Sequence, residues 1–138
     1  MRKLAGAESL AGLIGLGLVA LGVVGFVPGI VQEYGALRWW RGSGAELFGV
    51  FQTSILINLL HIGAGVLGPV AGSRGGGYLG LVGSAFFALG VYGLLVEDAW
   101  NFMPFDRAAD WLHIGLGIGL LYAGLAAGLA ALRPAATT

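Results

Sequence analysis

The sequence contains no cysteine. Disulfides, thiolate metal centres and cysteine nucleophiles are therefore excluded. Charge is also scarce. Asp, Glu, Lys and Arg make up 10% of the chain, against roughly 25% in soluble domains, so water would meet too little polar surface. Neither sign is in excess, because seven basic residues balance seven acidic ones. That balance removes the basic patch that nucleic acid or an anionic lipid surface attracts. No segment alternates as a transmembrane β-barrel strand must. The glycine-rich stretch 72–77 lacks the Gly-Lys-Ser/Thr of a phosphate loop. Ser9, Ser43, Ser54, Ser73 and Ser84 stand in no hydrolytic Ser-His-Asp motif.

What is present is apolar mass: 57% of the 138 residues are hydrophobic and mean hydropathy is +0.87. Glycine is abundant, at 27 residues. In water each helical glycine costs about 1 kcal/mol against alanine. In lipid, where no hydrophobic force draws helices together, glycine lets backbones approach and gain dispersion contacts. The length suits one domain.

A helix needs about 20 apolar residues to cross the hydrocarbon core. Four segments qualify: 10–27, ended by Pro28-Gly29; 48–71, ended by Gly72; 78–96, ended by Glu97-Asp98; and 108–132, ended by Arg133-Pro134. The expectation is an all-α integral membrane protein, a bundle of four transmembrane helices. Residues 30–47 form an interfacial connection. Arg2 and Lys3 ahead of the first run imitate a signal peptide, but no small-x-small cleavage site precedes Pro28, so the segment is expected to be retained. Trp39 and Trp40, flanked by Arg38 and Arg41, read with Trp100 and Trp111 as headgroup-level anchors. Cytoplasmic termini place Arg2, Lys3, Arg74 and Arg133 inside against Arg38, Arg41 and Arg107 outside, as the positive-inside rule prefers. The short connection near residues 72–77 predicts that the second and third helices form a tight antiparallel hairpin.

An internal repeat refines this bundle. Asn58-Leu59-Leu60-His61-Ile62-Gly63 recurs as Asp110-Trp111-Leu112-His113-Ile114-Gly115, 52 residues on. Ala20-Leu21-Gly22-Val23-Val24-Gly25 recurs as Ala88-Leu89-Gly90-Val91-Tyr92-Gly93, 68 residues on. The longer first connection absorbs the difference. Each unit is a helix pair, so both copies start on one side of the membrane, a parallel repeat about an axis along the membrane normal. The two histidines then occupy related places, with His61 the deeper if its helix begins at Phe48.

His61 and His113 are the sharpest functional candidates, since an ionisable side chain within a span needs a partner. Asn58 and Asp110, one turn earlier, stand where they can orient each ring. Gly63, Gly65, Gly115 and Gly117 leave room for a flat group, compatible with axial ligation of haem or a chlorophyll-type pigment. The competing reading is a pair of hydrogen bonds that fix helix packing. Gly68/Gly72, Gly115/Gly119 and Gly124/Gly128 have GxxxG spacing, suited to packing within the bundle or against a partner. Glu97, Asp98, Asp106 and Asp110 gather near one boundary; cation binding is open to them, as is the role of solvated helix ends favoured by the helix dipole.

Leu47-Phe48-Gly49-Val50-Phe51-Gln52, the two histidine segments and the corner Asn101-Phe102-Met103-Pro104 together resemble the DUF4383 family of four-helix bacterial membrane proteins. The resemblance covers about residues 10–132. Where that family often carries a further histidine, this chain has Ile57. The resemblance implies a four-helix fold and a bacterial inner-membrane location, and transfers no chemistry. The leading functional expectation is a non-enzymatic accessory or structural subunit, packed laterally against other subunits of a membrane complex. Two alternatives are a tetrapyrrole-binding protein using His61 and His113, and a small transporter or ion pathway.

Overall fold

The computed structural model describes residues 2–96, Met103 and 106–132, with side chains from residue 6 onward. Glu97, Asp98, Trp100, Asn101, Phe102, Pro104 and Arg133 lie outside the described residues. Four helices carry the fold: α1 (Arg2–Val24), α2 (Ile55–Val70), α3 (Gly75–Leu95) and α4 (Arg107–Ala131). Gly6–Val24, Gly72–Leu95 and Arg107–Ala131 are long and apolar enough to cross a membrane, by length and composition. α2 has 16 residues, or about 24 Å at 1.5 Å per residue, short of the roughly 30 Å core.

The expected start of the second helix at Phe48 is thus corrected to Ile55. Two local features set the boundary. Phe48 and Gly49 adopt positive φ, 56° and 67°, which an α-helix does not accommodate. Ser54 then caps α2: its Oγ accepts from the Ile57 N–H at 3.2 Å, which satisfies one of the donors a helix start leaves unpaired. The Ile55 and Leu56 N–H groups donate to the Arg38 and Trp39 carbonyls at 3.0 and 2.9 Å. The connection therefore folds back over the beginning of α2 and serves as its cap.

That connection also holds three strands, so the chain is mostly helical rather than purely so. β1 (Val31–Gln32), β2 (Glu46–Leu47) and β3 (Phe51–Gln52) form an antiparallel sheet in that order. Val31 lies opposite Leu47, and Leu47 opposite Phe51. Strands of two residues are too short to show an alternation in sequence. Val31, Ala45 and Leu47 are buried together against Leu21 and Val24 at the end of α1, which seats the sheet on one end of the bundle.

Helix packing follows the glycines. The most extensive contacts join α1 to α2 and α3 to α4. Gly65 meets the backbone of Gly15 and Val19, and Gly117 that of Phe87. The tight hairpin expected of α2 and α3 is not formed, although a short 3-10 turn joins them. Their link includes a side-chain bond, from the Tyr78 hydroxyl to the Ala64 carbonyl at 3.0 Å. Nearness in sequence gave the turn, whereas close approach went to the helices that present glycine to each other. Between the two pairs a buried cluster includes Ala11, Leu18, Leu79, Val82, Phe86 and Leu120.

Candidate functional site

Two helix caps set the depth of the histidines. Ser54 caps α2 and Asp106 caps α4. His61 and His113 each stand seven residues beyond their cap, about 10 Å along the helix. The greater depth expected of His61 rested on a helix starting at Phe48, so it does not hold. The pairs bring the two rings together: their centroids are 6.2 Å apart with planes at 23°. Phe86 of α3 completes the cluster, 5.4 Å from His113 and 5.9 Å from His61. His61 is 9% exposed and His113 6%. The Ile57 carbonyl one turn back faces the His61 ring, while His61 Nδ1 is buried and makes no hydrogen bond of normal geometry.

Asn58 does not turn to its imidazole as the sequence suggested. The Asn58 amide donates to the Gly25 carbonyl at 2.8 Å and its Oδ1 accepts from the Thr53 hydroxyl at 2.7 Å. The Thr53 carbonyl in turn accepts from the buried Ser43 hydroxyl at 2.6 Å. Asn58 is therefore committed to α1 and to the connection. Asp110 lies against Gly93 as Asn58 lies against Gly25; in both places a glycine Cβ would strike the side chain. Asp110 is 2% exposed, and its Oδ1 has no hydrogen-bond partner among the described residues.

The backbone contacts one turn away also recur. A Cβ on Gly22 would sit 2.5 Å from the Asn58 carbonyl oxygen and 2.7 Å from Ile62 Cγ1. A Cβ on Gly90 would sit 2.5 Å from the Asp110 carbonyl oxygen and 2.7 Å from Ile114 Cγ1. These seats were not singled out from sequence as packing positions. The repeated Ala-Leu-Gly-Val-x-Gly was the available signal. Phe86 and Thr53 carry no motif, and only the fold shows their place.

The acids near the boundary separate by role. Asp106 accepts from the Ala109 N–H at 2.7 Å through Oδ1 and from the Gln52 N–H at 2.8 Å through Oδ2. One carboxylate thus caps α4 and ties it to β3. Asp110, four residues on, is buried. Among the described residues no three His, Asp or Glu side chains converge as a metal site requires.

The glycines singled out from sequence fall into three groups. Gly65, Gly68 and Gly124 meet backbone of a neighbouring helix, and Gly72 turns the chain with φ +49°. Gly63, Gly115, Gly119 and Gly128 face open space. Trp39, Trp40 and Trp111 are exposed.

Two apolar grooves flank the histidine cluster. The first, about 90 Å³, lies under the sheet and includes Leu18, Phe51, Thr53, His61, Leu112 and His113. The second, about 250 Å³, runs between α2 and α3 past His61, Ala64, Tyr78, Val82 and Phe86. A macrocycle ligated by both histidines must lie midway between their rings. Phe86, nearly equidistant from the two, stands in that plane, so the arrangement does not fit a tetrapyrrole held by both.

Comparison with known proteins adds one match. The family model described as "Domain of unknown function (DUF4383)" covers residues 9–126. No curated protein and no solved structure matches the chain.

Proposed function

The chain belongs to the DUF4383 family, and on that footing we propose that it is a non-enzymatic integral membrane protein that packs laterally against other subunits of a membrane complex. Its four helices form two parallel helix-pair repeats in a bacterial inner membrane, with both termini cytoplasmic. Support for the repeat comes from the matched seats, Asn58 on Gly22 and Gly25, Asp110 on Gly90 and Gly93. Support for the membrane comes from the long apolar helices and from the leucines and isoleucines they expose, among them Leu13, Leu81, Ile118 and Leu125. α2, shorter than the core, reaches the interface through the connection that caps it.

The observation that carries the lateral role is the division among glycines. Gly115 and Gly119 stand one turn apart on the outer side of α4, with open space beside them and Trp111, Ile118 and Tyr122 exposed nearby. Small residues that pack against none of the described residues suit the close approach of a helix from another subunit. Affinity purification in mild detergent tests this. Gly115→Leu and Gly119→Leu should each lose co-purifying membrane proteins and leave thermal stability unchanged. An unchanged set of partners overturns the reading.

A further inference from the structure

The tip that joins β2 to β3 inverts the usual polarity of a turn. The Val50 N–H donates to the Leu47 carbonyl at 3.2 Å, closing a turn whose central residues, Phe48 and Gly49, both have positive φ. Asn-Gly and Asp-Gly are the pairs favoured in such a turn. A bulky side chain at positive φ is strained, yet this tip carries phenylalanine there, and Phe48 is 56% exposed. Val50 is 52% exposed. Backbone polarity is withdrawn as well. The Phe48 N–H donates to the Ile30 carbonyl at 3.1 Å and the Gly49 N–H to the Glu46 carbonyl at 3.3 Å. The N–H groups of Phe48, Gly49 and Val50 are therefore all paired within the chain, as backbone in hydrocarbon requires. The sheet behind the tip has ordinary polarity: Val31 and Leu47 are buried, while Gln32, Glu46 and Gln52, paired across the strands, are not.

The surroundings of the tip point to lipid. Phe48 lines one groove with Leu21 of α1 and with Leu112 and Leu116 of α4, and both α4 leucines are exposed. The tip thus continues the apolar surface that the bundle turns outward. α2, whose start the connection caps, rises about 24 Å against a core of roughly 30 Å, so about 6 Å of hydrocarbon is left to the connection. We infer that the tip Phe48-Gly49-Val50 inserts into the bilayer at the end of the bundle, an apolar anchor made by a turn instead of a helix. Burial of the phenylalanine ring in hydrocarbon offsets the strain at its backbone. The inference rests on the membrane reading proposed above and adds to it a lipid contact that no helix supplies.

Spin labelling of the full chain in phosphatidylcholine nanodiscs tests this. The chain has no cysteine, so each substitution supplies a single thiol for a nitroxide. Phe48→Cys and Val50→Cys report on the tip. Leu125→Cys, at an exposed position of α4, is the reference for lipid, and Glu33→Cys, at an exposed charged position of the connection, is the reference for water. Oxygen concentrates in hydrocarbon and a nickel chelate in water, so the ratio of their collision rates with the label reads its depth. Oxygen collisions should exceed nickel collisions at both tip positions, as at Leu125, with the order reversed at Glu33. Val50→Cys decides the matter should Phe48→Cys fail to fold. Nickel in excess at the tip, with Leu125 still in lipid, overturns the insertion alone. Nickel in excess at Leu125 overturns the membrane reading and the insertion with it. Loss of both collision rates at the tip, with an immobilised label, assigns the tip to a protein contact and likewise overturns the insertion.

Discussion

At the scale of single residues, the two helix pairs differ most at Asn58 and Asp110. Both side chains lie on a glycine at the end of the preceding helix, Gly25 just past α1 and Gly93 in the last turn of α3. Asn58 has an amide to give to the Gly25 carbonyl. A carboxylate has no such donor, and Asp110 Oδ1 is left buried without a partner among the described residues. Leaving a buried polar atom unpaired costs about 1–3 kcal/mol. Asp110→Asn should therefore stabilise the fold by about 1 kcal/mol, seen as a higher midpoint in thermal unfolding; a lower midpoint contradicts the equivalence. The pairing of these two residues was legible in the sequence because the histidine segments repeat around them. Their partners were not, since a backbone carbonyl above a glycine leaves no side-chain signature at its own position.

Among elements, the information lies in the caps. Hydropathy placed the start of the second helix at Phe48 because Phe48, Val50 and Phe51 are apolar. Those residues instead turn and enter a strand, and the polar run Gln52-Thr53-Ser54 marks the true boundary. Hydropathy counts transfer free energy, and it does not see which backbone N–H groups need a cap. The same limit explains the α2–α3 hairpin, which a short loop suggested and glycine packing overruled. The caps also differ in consequence. Ser54 accepts one N–H, while Asp106 accepts two, from its own helix and from Gln52 of β3. Loss of an N-cap side chain costs about 0.5–2 kcal/mol, and a charged acceptor to a second backbone donor adds to that. Asp106→Ala should cost about 2 kcal/mol and Ser54→Ala about 1 kcal/mol, compared by thermal unfolding in one detergent. Equal losses would mean that the tie to β3 contributes nothing.

For the whole molecule, the question is what holds two self-sufficient helix pairs to each other. Within each pair, glycines bring backbones together; between pairs, Gly75 of α3 meets the Ala7 and Glu8 backbone of α1, and side chains make a second join in which Phe86 is central. It belongs to α3, it is buried, and its ring meets both His61 of α2 and His113 of α4. Phe86 also lines both grooves, so its removal merges them into one larger space. Phe→Ala in a packed core costs about 3–5 kcal/mol, part of it from the cavity left behind. Lipid or detergent tails can enter this cavity from the open grooves, so the lower end, about 3 kcal/mol, is expected for Phe86→Ala. Because the glycine seats within each pair are untouched, helix content by circular dichroism should stay at the wild-type level before the transition, while the unfolding midpoint falls. Phe86→Leu, which keeps most of the volume, should recover more than half of that fall. A midpoint unchanged in Phe86→Ala would place the join elsewhere in the cluster of Leu18, Leu79, Val82 and Leu120, and would leave the histidine pair without a structural claim on its aromatic neighbour.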